Sequence, residues 1–286
     1  MIRSESTMRD ISILCERFLG SRSWRTVAVM LIGLTVLSGA AAFAQDEAGL
    51  AKQSQNPVGD LISLPFQNNT NFGVGPSDGV QNVLNIQPVY PIGLGKLNLI
   101  NRVILPLVYQ PEFVPGDGST FGLGDTSYTA FFSPASPGKF IWGVGPSFLI
   151  PTATDDLLGT DQWSAGPGFV GLVMPGQWVI GGLIQNVWSL DSNDDDGEVN
   201  QLLFQYFVNF NKPSGWYYTS APVITANWEA ESGKRWTVPI GGGIGKVYRI
   251  GKRPVNANIQ AYYNIEKPEL AADWSVRVQF TLLFPK

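Results

Sequence analysis

The chain has 286 residues with 19 Lys+Arg, 23 Asp+Glu, one cysteine and no histidine, for a net charge of −4. An acidic chain offers no basic surface for nucleic acid, and the missing histidine excludes Ser-His-Asp and Cys-His catalysis as well as His-ligated zinc. Aromatics at 12% together with 32 glycines are the composition of alternating strands joined by tight turns.

At the N-terminus, Arg22 and Arg25 precede an apolar run from Val27 to Leu37, then small residues and Ala42-Phe43-Ala44. A charged region, an apolar region and an A-x-A site make residues 1–44 a secretory signal cut after Ala44. A membrane anchor is the alternative, because the run almost spans a bilayer, but its second half is Gly, Ala and Ser. The stretch before Arg22 is long and mixed in charge, which leaves Met8 as a second candidate start. Cleavage removes Cys15 and leaves 14 Lys+Arg against 20 Asp+Glu. Such a chain needs no disulfide, and no acylated cysteine anchors it. Residues 45–56 are polar and are expected to form a flexible N-terminal segment, with a barrel over 57–286.

No stretch of the chain after the signal is long and apolar enough for a transmembrane helix, and no 3.6-residue period appears anywhere in it. Instead, twelve runs separated by turn residues read as strands: 58–72, 80–92, 96–110, 121–133, 139–152, 162–174, 177–190, 199–211, 215–228, 234–248, 254–266 and 272–284. The last is the clearest. Trp274, Val276, Val278, Phe280, Leu282 and Phe284 alternate with Ser275, Arg277, Gln279, Thr281 and Leu283, so one face is apolar and the other mostly polar. In 254–266, Val255, Ala257, Ile259, Ala261, Tyr263 and Ile265 alternate with Asn256, Asn258, Gln260, Tyr262 and Asn264. In 96–110, Leu97, Leu99, Val103, Leu105, Leu107 and Tyr109 alternate with Asn98, Arg102 and Gln110. In 199–211 the inward set mixes Gln201, Gln205 and Asn209 with Leu203 and Phe207, and in 177–190 both faces are apolar.

The connections alternate between two kinds. One kind is short and basic or neutral, as at 93–96, 136–139, 174–177, 211–214 and 250–254. The other is mostly longer and acidic, as at 116–118, 155–161, 191–198, 229–231 and 266–269. An even number of strands with short turns at one end and long loops at the other predicts an all-β, transmembrane antiparallel β-barrel of the bacterial outer membrane. A soluble secreted β-sandwich or barrel is the alternative. Trp142, Trp163, Trp178, Trp188, Trp216, Trp228, Trp236 and Trp274 fall near strand ends, where interfacial girdles place amphipathic rings.

No motif carries chemistry in its required context. Ser136-Pro137-Gly138-Lys139 matches S-x-x-K but lies in a turn. Gly241 to Lys246 resembles a phosphate loop, yet Val247 follows where Ser or Thr is needed, so the glycines read as a bend or as room for a bulky lumen side chain. The acidic stretch Asp191–Glu198 lacks the EF-hand glycine and bidentate glutamate and reads as a solvated loop. No enzyme, metal or cofactor is expected. Specificity is expected in the lumen, where period 2 points Arg102, Asp125, Asn258, Gln260, Tyr262, Asn264, Arg277 and Gln279.

Four segments carry a family resemblance: Gly122-Leu123-Gly124-Asp125-Thr126, Gly145 to Thr152, Trp163 to Gly168, and Trp178 to Gly182. With them the chain resembles the MetA-pathway of phenol degradation family of bacterial outer-membrane proteins, sometimes labelled neuromedin U. The resemblance covers most of the chain after the signal and implies an outer-membrane barrel with a role in uptake of aromatic or other small compounds. It brings no catalytic residues. The common terminal aromatic is here followed by Pro285-Lys286. The expected partners are outer-membrane lipid and a small-molecule solute, with no nucleic acid, in a monomeric or self-associating barrel. Barrels of about eight strands are filled by side chains and those of about sixteen enclose an open channel, so twelve strands predict a narrow, selective passage. A structural or adhesion barrel with a plugged lumen remains the other reading.

Overall fold

A period-2 run can hide only one face, so its partner strands decide which face that is. A computed structural model describes residues 47–113, 116, 118–190 and 198–285. In it fifteen ladder segments form a single antiparallel sheet that closes on itself. Together they make twelve passes. Nine passes are continuous: β1 (Ile62–Val74), β4 (Leu97–Gln110), β7 (Phe140–Ile150), β8 (Ser164–Val173), β9 (Trp178–Ser189), β10 (Asn200–Asn211), β13 (Trp236–Ile250), β14 (Arg253–Glu266) and β15 (Trp274–Phe284). Three are broken in two: β2 (Gly79–Ile86) with β3 (Val89–Leu94), β5 (Thr120–Leu123) with β6 (Thr126–Pro134), and β11 (Trp216–Ser220) with β12 (Val223–Asn227). The expected signal peptide and most of the acidic stretch 191–197 lie outside the described residues.

Closure comes from β1 against β15, in register from Ile62↔Phe284 to Phe72↔Trp274. With that ladder made, every pass has two neighbours and no edge is left with unpaired N–H and C=O groups. Two of the breaks fall at prolines. Pro88 and Pro222 have no N–H to give a ladder, so β2/β3 part at Gln87-Pro88 and β11/β12 at Ala221-Pro222. These breaks lie inside runs that the sequence pattern reads as continuous.

The exterior is apolar as expected. Ile259, Tyr263 and Ile265 of β14 are more than half exposed, while Asn256, Gln260 and Tyr262 between them are buried. On β15, Val278 is exposed and Arg277, Thr281 and Leu283 are buried. Seven of the eight tryptophans near strand ends are exposed, and Trp228 instead donates its indole N–H to Asn186 Oδ1 at 2.9 Å. A polar cluster on β1 and β2 interrupts the outer face. Asn68, Thr70 and Asn82 share the outward side of β1 and β2, and Asn68 Nδ2 donates to Asn82 Oδ1 at 2.7 Å while Asn82 Nδ2 donates to Thr70 Oγ1 at 3.1 Å. The cluster satisfies itself, which is the condition for polar groups facing hydrocarbon.

The polar stretch 45–56, in which no helical period was expected, is described from residue 47 on and is largely helical. Residues 47–54 form a helix, α1, belonging to the same unit as the barrel. Its contacts are those of the lumen and are described below.

Ile259 lies mid-strand on the lipid face. An Ile259→Arg substitution is expected to destabilise the barrel in vesicles by about 2–4 kcal/mol, whereas Asn258→Arg, one residue away on the inner face, is expected to cost much less. Equilibrium denaturant unfolding in liposomes measures both, and equal costs would contradict the assignment of faces.

Candidate functional site

The inner surface divides into three levels. At the long-loop end is a cavity of about 750 Å³, walled by amides from β1 (Gln67, Asn69, Asn71), β2 (Gln81, Asn85) and β4 (Gln110). Tyr262, Asn264 and Arg277 complete the polar wall, and Val83, Val223, Pro239 and Leu270 supply apolar surface. Below it lies a chamber of about 160 Å³ lined by Arg102, Gln87, Thr129, Gln185 and Gln205. Gln67, Asn85 and Val223 line both spaces, so the two adjoin. No Asp or Glu lines either space among the described residues.

Each lumen arginine sits at a proline break. At Ala221-Pro222 the backbone turns inward. Arg277 Nη1 donates to the Ala221 carbonyl at 2.8 Å, Gln205 Nε2 donates to the same oxygen at 3.2 Å, and the Ala221 N–H donates to Tyr262 Oη at 3.0 Å. Peptide groups freed from the ladder are thereby satisfied, as burial requires. Arg277 also donates from Nε to Asn69 Oδ1 at 2.9 Å and lies 5.0 Å from the centre of the Tyr262 ring, a cation–π distance. At the other break, Arg102 Nη2 donates to Gln87 Oε1 at 3.3 Å. No carboxylate pairs with either arginine among the described residues.

The third level is filled. Helix α1 packs Leu50 and Ala51 against Tyr217 of β11 and Val247 of β13. Its polar side chains bond to the surrounding wall: Asn256 Nδ2 donates to Ser54 Oγ at 3.0 Å, and the amides of Gln55 and Asn211 exchange two bonds at 2.9 Å each. Lys52 Nζ reaches the Gly176 carbonyl in a short turn. Four residues on, Val58 enters a buried apolar cluster with Ile100, Phe131, Val170, Leu172, Val179, Leu183 and Phe207, drawn from β4, β6, β8, β9 and β10. The segment therefore touches most of the circumference at the short-turn end. Inward glycines make the room: a Cβ at Gly143 would lie 2.8 Å from Val58 Cγ1, and one at Gly245 would run into the Tyr217 ring.

Four of the residues named from the sequence, Arg102, Tyr262, Asn264 and Arg277, line the two spaces. Asn258 and Gln260 form an inward ladder, with Gln260 Nε2 donating to Asn258 Oδ1 at 2.8 Å and Tyr262 Oη donating to Gln260 Oε1. Gln279 pairs across the sheet with Asn258 and donates to Thr281 Oγ1 at 3.0 Å. Asp125 departs from the expectation. It lies at the break between β5 and β6, and its carboxylate accepts from the Ala153 N–H at 3.2 Å, the Thr160 N–H at 2.6 Å and Thr160 Oγ1 at 2.9 Å. The strand is interrupted there, so its period no longer sets the side-chain direction, and Asp125 clamps the loop 151–163. The amides of β1 and β2 were not singled out from the sequence, although Gln67, Asn69 and Asn71 alternate there with Phe66, Asn68 and Thr70. The polar cluster on the outer face masks that alternation.

The architecture is that of bacterial outer-membrane β-barrels, and the solved structures agree. An outer membrane channel from Pseudomonas putida F1 superposes with a TM-score of 0.61 at 16% identity, over 80% of this chain and 97% of that one. Outer membrane phospholipase A from Escherichia coli gives 0.43 at 13% identity over 85% and 98%, and a monoaromatic hydrocarbon channel gives 0.44 at 10% over 84% and 91%. No family model matches the sequence, and no curated protein matches it.

Removing the Asp125 carboxylate should free the loop and leave the barrel intact. Because hydrogen bonds to a charged group contribute about 1.5–3 kcal/mol each, Asp125→Ala is expected to speed amide exchange at Ala153 and Thr160 by at least about tenfold. Hydrogen exchange followed by mass spectrometry reads this, and unchanged protection would refute the clamp.

Proposed function

We propose that this chain is an outer-membrane channel for small solutes whose passage is closed at the periplasmic end by its own N-terminal segment. One observation carries the reading: the 750 Å³ cavity adjoins the 160 Å³ chamber, and Leu183 in the chamber wall belongs to the apolar cluster that holds Val58. Short turns mark the periplasmic end of such barrels, so α1 stands on the periplasmic side and the larger cavity faces outward. The fold shared with the Pseudomonas putida channel supports a channel role. On this reading the strand motifs resembling the MetA-pathway family fit an uptake channel, and small compounds with an apolar body are the solute class.

The mechanism is passive. A solute enters between the long loops, replaces its hydration with the amides of β1, β2 and β4, and passes Arg277 and Arg102 in turn. Transfer into the periplasm requires α1 and Val58 to withdraw. The hydrogen bonds that hold α1 are few, and each contributes only about 0.5–1.5 kcal/mol. A barrel with a permanently filled lumen, working through its outer loops, is the second reading, favoured by the apolar packing around Val58.

Single-channel recording in planar bilayers separates the two. The full chain is expected to show rare or brief openings, and a variant lacking residues 47–55 to show sustained conductance. Silence from both proteins, each verified as folded by heat-dependent gel mobility, would overturn the channel reading. Equal conductance from both would overturn the closure by α1.

A further inference from the structure

We propose that the lumen holds a binding site for a small carboxylate carrying an apolar body, with Arg277 and Arg102 as its charge partners. The proposal rests on the channel reading only in placing these residues on a solute path; the site itself is argued from its lining.

Arg277 and Arg102 are the charged residues lining the two adjoining spaces, and both are positive. Their protein contacts are neutral: an amide oxygen and a backbone carbonyl for Arg277, a single amide oxygen for Arg102. A guanidinium has five N–H donors. The contacts to protein use two on Arg277 and one on Arg102, leaving donors on both for a mobile acceptor. A charge taken from bulk water without a counter-ion is costly, and an anion entering the lumen relieves that cost twice along one path. Guanidinium also matches the two oxygens of a carboxylate in a bidentate pair.

The remaining lining sets the rest of the ligand. The cavity that Arg277 lines mixes amides with apolar surface from Val83, Val223, Pro239 and Leu270. A carboxylate on a hydrocarbon or aromatic body would bury its apolar part there, whereas a small hydrated ion would leave that surface uncovered. The structural role of Arg277 at the Ala221 break fits the same picture, since that contact fixes the guanidinium in place before a ligand arrives.

Titration calorimetry on the full chain in detergent, with benzoate, benzamide and acetate as probes, tests the site. Benzoate is expected to bind at least about tenfold more tightly than benzamide, which lacks the charge, and than acetate, which lacks the ring. Arg102→Gln and Arg277→Gln are each expected to weaken benzoate about ten- to hundredfold, with little effect on benzamide. Arg277→Lys keeps the charge and is expected to retain part of the affinity, which carries the test if Arg277→Gln does not fold. Equal binding of benzamide, or unchanged benzoate affinity in Arg102→Gln and Arg277→Lys alike, would overturn the charge partners. Equal binding of acetate would overturn the apolar body. Binding without conductance in the bilayer experiment would count against the channel alone, and conductance without benzoate binding against this site alone.

Discussion

Lipid offers no hydrogen bonds, and that single constraint organises the molecule. Each backbone group at membrane depth needs a partner in the protein, and a sheet meets this only by closing. The ladder between β1 and β15 is therefore the joint on which the rest depends. Once it forms, period 2 sorts every strand into a lipid face and a lumen face. Departures from the ladder must be made good locally, and they are. The peptide groups around Ala221 find Arg277, Gln205 and Tyr262, and the outward amides of Asn68 and Asn82 find each other.

The same logic explains what occupies the lumen. A twelve-stranded barrel encloses more space than its own side chains fill, and this one fills the short-turn end with a helix and an apolar anchor taken from its N-terminus. Proline breaks and lumen arginines belong together in the upper part. Breaking a strand frees a carbonyl, and an arginine supplies a donor for it while keeping its charge toward the cavity. Structural need and, on our proposal, ligand recognition fall on one side chain.

Much of this was legible in the sequence because a barrel wall is a local code. Twelve runs, their register of faces and the two kinds of connection follow from alternation and turn residues, and counting alone puts Arg102, Tyr262, Asn264 and Arg277 on the face that lines the two spaces. Counting failed where the strand did. Asp125 stands at an interruption, so its direction is set by the Ala153 and Thr160 amides rather than by the pleat. The doubly apolar run 177–190 was the visible trace of the plug. Its inward Val179 and Leu183 belong to the same buried apolar cluster as Val58, but nothing local says which part of the chain comes to fill that end.

By itself, then, the sequence determined an antiparallel barrel wall with an apolar outside and a polar, histidine-free inside, because period 2 and turn chemistry act between neighbours. The tertiary structure alone decided what the interior contains. A polar N-terminal stretch forms a helix that Tyr217, Val247, Asn211 and Asn256 receive inside the barrel. Those contacts link residues more than 150 positions apart, and such proximity exists only after the barrel has closed.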